Sequence, residues 1–215
     1  MSSKSSLVIK QYEIGPLNNF LYLLGDTSTK EMAVVDPAWD IPFLCLQAKQ
    51  LGFKITKVFL THAHPDHVNG LDELLGQHNV PVYISKYEAP FLRKNLKNLV
   101  DVKDKEKLSL GQTSFDVIHT PGHTPGCQCF LFQDQLICGD TLFIDGCGRC
   151  DLPGGDAKLM YNSLYNILMK LPDNTIVYPG HNYGPTPTAT IGQQKQTNPY
   201  LQVASLEEFL NERMG

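Results

Sequence analysis

Within six residues, His62-Ala63-His64-Pro65-Asp66-His67 sets four potential metal ligands directly behind an apolar, strand-forming run from Lys57 to Leu60. Three of the chain's seven histidines fall in this hexapeptide. A lone histidine is more often a hydrogen-bonded structural residue, but this density at a strand end is a ligand pattern, presented where a rigid sheet edge can hold a loop. Imidazole nitrogen and carboxylate oxygen suit zinc, iron or manganese. The segment has no nearby thiolate, which argues against a closed structural zinc site and for chemistry.

Three further segments have the same form, each a candidate ligand beside Gly or Pro after an apolar run. They are His123 in Thr120-Pro-Gly-His-Thr-Pro-Gly126, Asp140 in Cys138-Gly-Asp-Thr141, and His181 in Tyr178-Pro-Gly-His181. Glycine there lets the backbone approach a metal or substrate closely and adopt angles closed to other residues. The candidate metal ligands are therefore His62, His64, Asp66, His67, His123, Asp140 and His181.

The chain of 215 residues, 42% hydrophobic and 19% charged, is globular rather than disordered, and its length suits one domain spanning 1–215. A net charge of -4 leaves no basic field for nucleic acid or anionic lipid, so neither is expected as a partner. No apolar run approaches the roughly 18 to 20 residues of a membrane span, and the opening residues lack the apolar stretch of a secretory signal. The expected location is the cytoplasm, with six cysteines as free thiols. Strands are expected at Leu7 to Tyr12, Phe20 to Leu24, Met32 to Val35, Ile55 to Leu60, Val80 to Ile84, Phe115 to Ile118, Cys129 to Phe132, Leu136 to Cys138 and Thr175 to Tyr178. Helices are expected at Ile41 to Leu51 (capped by Asp40 and closed by Gly52), Leu71 to Gln77, Asp156 to Leu171 and Ser205 to Arg213. Glu88 to Leu99 reads as a helix or irregular turn, and the charged stretch Asp101 to Lys107 as a solvated loop. The sum is a mixed α and β chain, most simply two sheets with helices on their outer faces.

The hexapeptide at 62–67, followed by His123, Asp140 and His181 at intervals of 56, 17 and 41 residues, resembles the metallo-β-lactamase superfamily. The resemblance runs from Ile14-Gly15-Pro16 and Val34-Val35-Asp36-Pro37 to Asn198-Pro199. It implies an α+β fold, a four-layer αβ/βα sandwich of two mixed β-sheets flanked by helices. Thr141-Leu-Phe and Gly146-Cys147-Gly148-Arg149 are similar to the glyoxalase II branch, whose enzymes hydrolyse S-acylglutathione thioesters at a two-metal centre. That resemblance implies His62, His64 and His123 on one divalent ion, Asp66, His67 and His181 on the other, and Asp140 bridging. Zinc is the first expectation, with iron or manganese as alternatives, and Asp66 and Asp140 are the catalytic carboxylates around a metal-bound hydroxide. No Ser or Cys nucleophile is needed. Leu152-Pro153-Gly154-Gly155-Asp156 fits a compact bacterial glyoxalase II-like group best.

The persulfide dioxygenases are also similar, through Thr120 to Cys127, Gly146 to Arg149 with Asp151, and Tyr183. They imply a single iron on His62, His123 and Asp140, acting on glutathione persulfide. A lactone hydrolase is a minor alternative. A binding module whose metal merely holds loops together is the reading from another class, and turnover on a thioester, lactone or persulfide discriminates against it. The expected partner is a small-molecule thiol-derived substrate, on a monomer or homodimer.

Around these residues, Asp36 and Thr61 either orient a ligand imidazole or simply shape a turn. His78 and His119 read as structural. Cys147-Gly-Arg-Cys150 reads as two free thiols near the substrate mouth. Arg149 and Tyr183 are the expected substrate contacts, a cation for a carboxylate and a hydroxyl for an amide, and Tyr161 either joins them or packs along its helix. Trp39 lines either the cleft or the core.

Overall fold

The computed structural model describes residues 7–92 and 96–214. In the first half, β1 (Leu7–Ile14), β2 (Asn19–Asp26), β3 (Glu31–Val35), β4 (Lys54–Phe59), β5 (Val82–Ser85) and β6 (Leu99–Val102) form one sheet in chain order. The first three strands are antiparallel and the last four run parallel. Between them lie α1 (Ile41–Gln50), α2 (Pro65–Val68), α3 (Leu71–Gln77) and α4 (Ala89–Leu92).

The second half holds β7 (Lys107–Leu110), β8 (Thr113–His119), β9 (Gln128–Phe132), β10 (Gln135–Gly139), a small ribbon of β11 (Leu142–Phe143) and β12 (Gly146–Cys147), then α5 (Ala157–Asn162), β13 (Ile176–Pro179), β14 (Ala189–Thr190), α6 (Ile191–Thr197) and α7 (Leu206–Met214). Its sheet runs β14-β13-β10-β9-β8-β7, with β10·β13 the one parallel pair in that order.

β2 explains the layering. Its run Asn19-Phe-Leu-Tyr-Leu-Leu-Gly-Asp26 is buried on both faces, and side chains alternate across a strand. Leu21 and Leu23 join Ile41, Leu44, Leu71 and Leu74 under the helices. Phe20, Tyr22 and Leu24 instead meet Phe115, Phe130, Phe132 and Ile137 of the other sheet. A third cluster packs Met160, Leu164, Leu168 and Phe209 against Leu136, Cys138 and Val177. Three apolar interfaces separate four layers, so the αβ/βα sandwich of two mixed sheets is the observed fold.

The expected α1 is present with its signals: the Asp40 carboxylate accepts from Phe43 N, and Gly52 follows at φ +75°. The single helix expected from Asp156 to Leu171 is not a uniform α-helix. After α5 it widens into a π-turn at Ser163–Ile167 and closes as a 3₁₀ turn at Leu168–Lys170. The buried Met160, Leu164 and Leu168 recur every four residues, which turns each one roughly 40° further round a helix of 3.6 residues per turn. A wider turn lets all three keep facing the core. Asp101 to Lys107 is also not simply a loop, because its ends belong to β6 and β7. Both are sheet edges, where exposed charge is normal and deters further pairing. Of the stretch Glu88 to Leu99, α4 and β6 are seen, and residues 93–95 lie outside the described ones. Among the described residues no helix is long and apolar enough to cross a membrane.

The two sheets are stitched together at opposite ends of β2. At its start, Phe20 N donates to Gly180 O (2.8 Å). At its end, buried Asp26 accepts from Ser28 N (2.8 Å), Thr29 N (3.0 Å), Gln112 N (3.0 Å) and Thr113 Oγ1 (2.8 Å). Burial pushes the Asp26 pKa up, but the bonds from Ser28, Thr113 and Thr29 outweigh it and hold the carboxyl below the usual range. A depressed folded-state pKa gives stability that is full above the unfolded value of about 3.9 and fades as pH falls below it. Asp26→Asn is therefore expected to lower unfolding stability by about 1–3 kcal/mol at pH 7. The difference from wild type should shrink in denaturant titrations carried out below about pH 3.5.

Candidate metal centre

Strand ends at one edge of the sandwich deliver the seven candidate ligands. Leu60 and Thr61 extend β4 into the hexapeptide; the β8–β9 connection carries His123; Asp140 follows β10 and His181 follows β13. Gly180 N donates to Gly139 O (2.8 Å) and Gln128 N to Thr61 O (3.0 Å), so these loops are mutually braced. Glycine is required where they crowd: a Cβ on Gly180 would sit 2.1 Å from Asp140 Oδ1.

Four of the five imidazoles, those of His62, His67, His123 and His181, are turned by a contact on one nitrogen, which leaves the other facing a common space. The Thr61 hydroxyl donates to Asp36 Oδ2 (2.6 Å), so toward His62 Nδ1 (3.0 Å) it is the acceptor. His67 Nδ1 lies 3.1 Å from the same Asp36 oxygen. His123 Nδ1 donates to Arg149 O (2.7 Å) and His181 Nδ1 to Leu17 O (2.8 Å). Asp36 thus acts as the orienting group, held by Thr61 N (2.8 Å) and strained into φ +52°. Turn formation and imidazole orientation are both its work.

The inward atoms fall into two sets, one of His62, His64 and His123 and one of Asp66, His67 and His181, the ligand atoms of each within 4.8 Å of one another. Asp36, His62 and His67 also group this closely, although Asp36 is committed to Thr61 and His67 Nδ1. Asp140 lies between the two sets. Its Oδ2 is 3.3 Å from His181 Nε2 and 3.4 Å from His123 Nε2, and its Oδ1 is 3.3 Å from His67 Nε2.

These atoms fit a metal. His62 Nε2 and Asp140 Oδ1 are buried without a hydrogen-bond partner, an arrangement folded proteins rarely tolerate. His64 Nδ1 faces His123 Nε2 at 2.8 Å, and His67 Nε2 faces His181 Nε2 at 3.2 Å. Neighbouring nitrogens on one tetrahedral zinc, at 2.0–2.1 Å from it, would be about 3.3 Å apart.

Charge in the cluster shows the same need. Burial drives His62 well below the ordinary imidazole range and takes His64 down to about 4. Burial acts the same way on His67, yet Asp140 and Asp36 outweigh it and push that group well above the range. For His181, bonds to Asp140 and Asp66 overcome burial and lift it to about 9. Asp140 and Asp66 are both held low, against the effect of burial, by the neighbouring imidazoles. In the metal-free protein, protons on two imidazoles supply the positive charge that the carboxylates require.

A cleft of about 510 Å³ opens over the cluster. His64, Asp66, His123, Asp140 and His181 form its floor, and its walls include Leu17, Phe143, Arg149, Tyr183, Tyr200 and Arg213. Of the expected substrate contacts, Tyr183 is stacked on His181 at 4.7 Å between centroids. Arg149 is at the rim, gripped by Asp151 through Nε (2.8 Å) and Nη2 (2.6 Å). Tyr161 does not reach the cleft: it stacks on Tyr165 (4.3 Å) and packs against Phe209. Cys147 lines the cleft wall, and burial raises its thiol to about 12 and Cys150 to about 11, so both are inert free thiols. His119 and His78 are structural, bonded to Pro125 O (3.0 Å) and in contact with Cys45 Sγ (3.5 Å) respectively.

Sequence reasoning missed Asn19, Tyr200 and Arg213. Asn19 donates to Asp66 Oδ2 (3.0 Å) and accepts from Trp39 Nε1 (2.9 Å), which makes Trp39 a brace for the Asp66 carboxylate. The available signal was an asparagine at the head of an otherwise apolar strand. Tyr200 and Arg213 carry no such local signal.

The family model described as the metallo-beta-lactamase superfamily matches residues 14–181. The probable polyketide biosynthesis zinc-dependent hydrolase PksB of Bacillus subtilis is 35% identical over 91% of this chain and 87% of its own length. The mouse mitochondrial persulfide dioxygenase ETHE1 is 33% identical over 89% and 74%. The hydroxyacylglutathione hydrolase of Pseudomonas fluorescens is 37% identical over 77% of this chain but only 62% of that protein. Among solved structures, ETHE1 from Myxococcus xanthus superposes with a TM-score of 0.88, at 32% identity, over 97% of this chain and 90% of that one. TTHA1623 in a di-iron-bound form has a TM-score of 0.79 at 31% identity, over 89% and 100%.

Two outcomes are expected from this geometry. Ligand nitrogens bind metal only when deprotonated, and His181, at about 9, and His67 are both protonated at pH 7 in the metal-free state. Zinc added to chelator-treated protein at pH 7 should release more than one proton per chain, read by calorimetry in two buffers of different ionisation enthalpy. Release should decline and affinity should strengthen as pH rises through 9. Separately, Asp36→Asn and Thr61→Val should each weaken zinc affinity by about 10- to 100-fold in competition with a chromophoric chelator, with the fold intact by circular dichroism.

Proposed function

Because the chain belongs to the metallo-β-lactamase superfamily, we propose that it is a binuclear hydrolase of the glyoxalase II-like type, cleaving the thioester of a small thiol. The observation that carries this reading is the pair of three-ligand sets with Asp140 between them. The relative solved in a di-iron-bound form supports two ions, and the zinc-dependent hydrolase relative makes zinc the first choice.

His62, His64 and His123 would hold one ion, Asp66, His67 and His181 the other, and Asp140 both. Two ions bound there would supply Lewis acidity for a carbonyl oxygen and lower the pKa of a water toward neutrality. The chain's own residues set the stage for that chemistry. Asn19 fixes Asp66 Oδ2, and Asp36 keeps the His67 ring aimed inward, so neither ligand has to reorganise during turnover. Leu17 and Phe143 give the cleft apolar wall, which excludes bulk water around the acyl carbon. Tyr183 and Arg149 would contact the substrate, the first through its hydroxyl and the second through the guanidinium edge turned away from Asp151.

The leaving group explains why a thioester suits this site. A thiol of pKa about 8.5 departs readily as thiolate, so no protonated general acid is needed beside the metal cluster. Water oxygen bonds to the acyl carbon, the carbon–sulfur bond breaks with its electron pair on sulfur, and a carboxylate and a thiol result. A lactone would react at the same carbonyl.

The high superposition on ETHE1 from Myxococcus xanthus favours a second reading, a mono-iron persulfide dioxygenase on His62, His123 and Asp140. Elemental analysis of protein purified without chelators from metal-balanced medium separates the two. About two equivalents of metal with hydrolysis of S-lactoylglutathione or a related thioester are expected; about one iron with oxygen uptake on glutathione persulfide would replace the first reading by the second. Asp140→Ala is expected to lose metal and turnover together, and full retention of both would refute its bridging role.

A further inference from the structure

We propose that Glu88 is the positioning residue of the first ligand set: its carboxylate fixes the backbone beside His62, His64 and His123 and so sets how tightly those three imidazoles hold an ion. The inference rests on that set binding metal, not on which reaction follows. Glu88 stands in the turn between β5 and α4, on the side of the first sheet, and is buried. Its Oε2 accepts from Ala63 N (3.0 Å) and its Oε1 from Gly126 N (2.8 Å). Ala63 lies between two of the three ligands, and Gly126 is three residues beyond the third. One side chain therefore grips both loops of the set.

The spacing leaves no slack. Glu88 N donates to Ser85 O (2.9 Å), which holds the residue against the end of β5. On the other side, a Cβ on Gly126 would sit 2.5 Å from Glu88 Cγ and 2.8 Å from Oε1, so glycine at 126 is what lets the carboxylate come this close. The strands behind the loops are tied separately, by Gln128 N to Thr61 O (3.0 Å) and Gln128 Nε2 to Leu60 O (2.8 Å). Those bonds lie at the ends of β4 and β9. Glu88 carries the junction past them, to the residues beside the ligands themselves.

The residue type follows from the two donors. Backbone N–H groups that converge from two loops need two acceptors on one side chain, and an ionised carboxylate offers only acceptors, whereas an amide replaces one of them by a donor. A carboxylate is costly to bury unless such partners meet it, so the position is tolerated because both loops are where they are. The second set has braces of its own, Asn19 on Asp66 and Leu17 O on His181. The two sets are thus held by separate groups, and a change at Glu88 falls first on His62, His64 and His123.

The test measures metal binding by the full-length chain and needs no turnover. His181→Ala leaves the first set to bind zinc, and His123→Ala leaves the second. In each background, zinc affinity is read by competition with a chromophoric chelator, with Glu88 intact and with Glu88→Gln, which has the same size and one acceptor fewer. Glu88→Gln should weaken zinc about 10- to 100-fold in His181→Ala protein and by less than about 3-fold in His123→Ala protein. Asp26→Asn, which unties the sheets at the far end of β2, is the structural control and should leave both affinities unchanged. Equal weakening of the two sets, an unweakened first set, or the same loss from Asp26→Asn would overturn the positioning role. Where a background does not fold, cadmium NMR on the chain with its ligands intact replaces it: Glu88→Gln should shift or remove one of two resonances, and a change in both or in neither would overturn the role. A wild type that takes up one ion instead of two removes the binuclear reading, and Glu88 is then judged on that ion alone.

Discussion

Seven candidate ligand side chains turned toward one buried space are the constraint on which this fold is organised. Five imidazoles and two carboxylates meet at one edge of the sandwich, with His62 Nε2 and Asp140 Oδ1 left unpartnered. Such a cluster is stable only with positive charge at its centre, from protons or from metal ions. Much of the surrounding architecture serves to keep the donors from relaxing toward other partners. Backbone carbonyls at Leu17 and Arg149 hold two rings by their outer nitrogens, and Asp36 with Thr61 holds two more.

The bracing is distributed across both sheets. His62, His64, Asp66 and His67 descend from β4 of the first sheet, whereas His123, Asp140 and His181 come from the second. Each three-ligand set draws from both halves, so the relative placement of the sheets is itself a coordination parameter. The backbone bonds Phe20 N to Gly180 O and Gln128 N to Thr61 O are the local fasteners of that placement. Asp26 serves at the far end of β2, where no ligand lies, and so affects stability apart from chemistry.

The layers, the long strands and the seven candidate ligands were readable because each has a local signature. Strand β2 is apolar at every position between its polar ends, α1 is flanked by Asp40 and Gly52, and the ligands stand beside Gly or Pro at strand ends. What escaped depended on contacts far apart in sequence. Asn19 meets Asp66 across 47 residues, and Arg213 meets Gly148 across 65, neither marked by any spacing rule. Tyr161 stood open between cleft and core because a helical tyrosine near a Gly-rich loop looks the same either way, and the structure places it against Tyr165 and Phe209. The π-turn left no local mark, since Met160, Leu164 and Leu168 at i, i+4 and i+8 also have the spacing of an ordinary amphipathic helix.

The sequence separation within the cluster has a consequence for synthesis. The set of His62, His64 and His123 is complete once residue 123 has been made, but the set of Asp66, His67 and His181 must wait another 58 residues. His181 in turn is oriented by Leu17, which is made 164 residues earlier. The β1–β2 hairpin therefore waits for that partner to its Leu17 carbonyl until residue 181 has been made. Closure of the second set is a step of high contact order, later in synthesis than closure of the first.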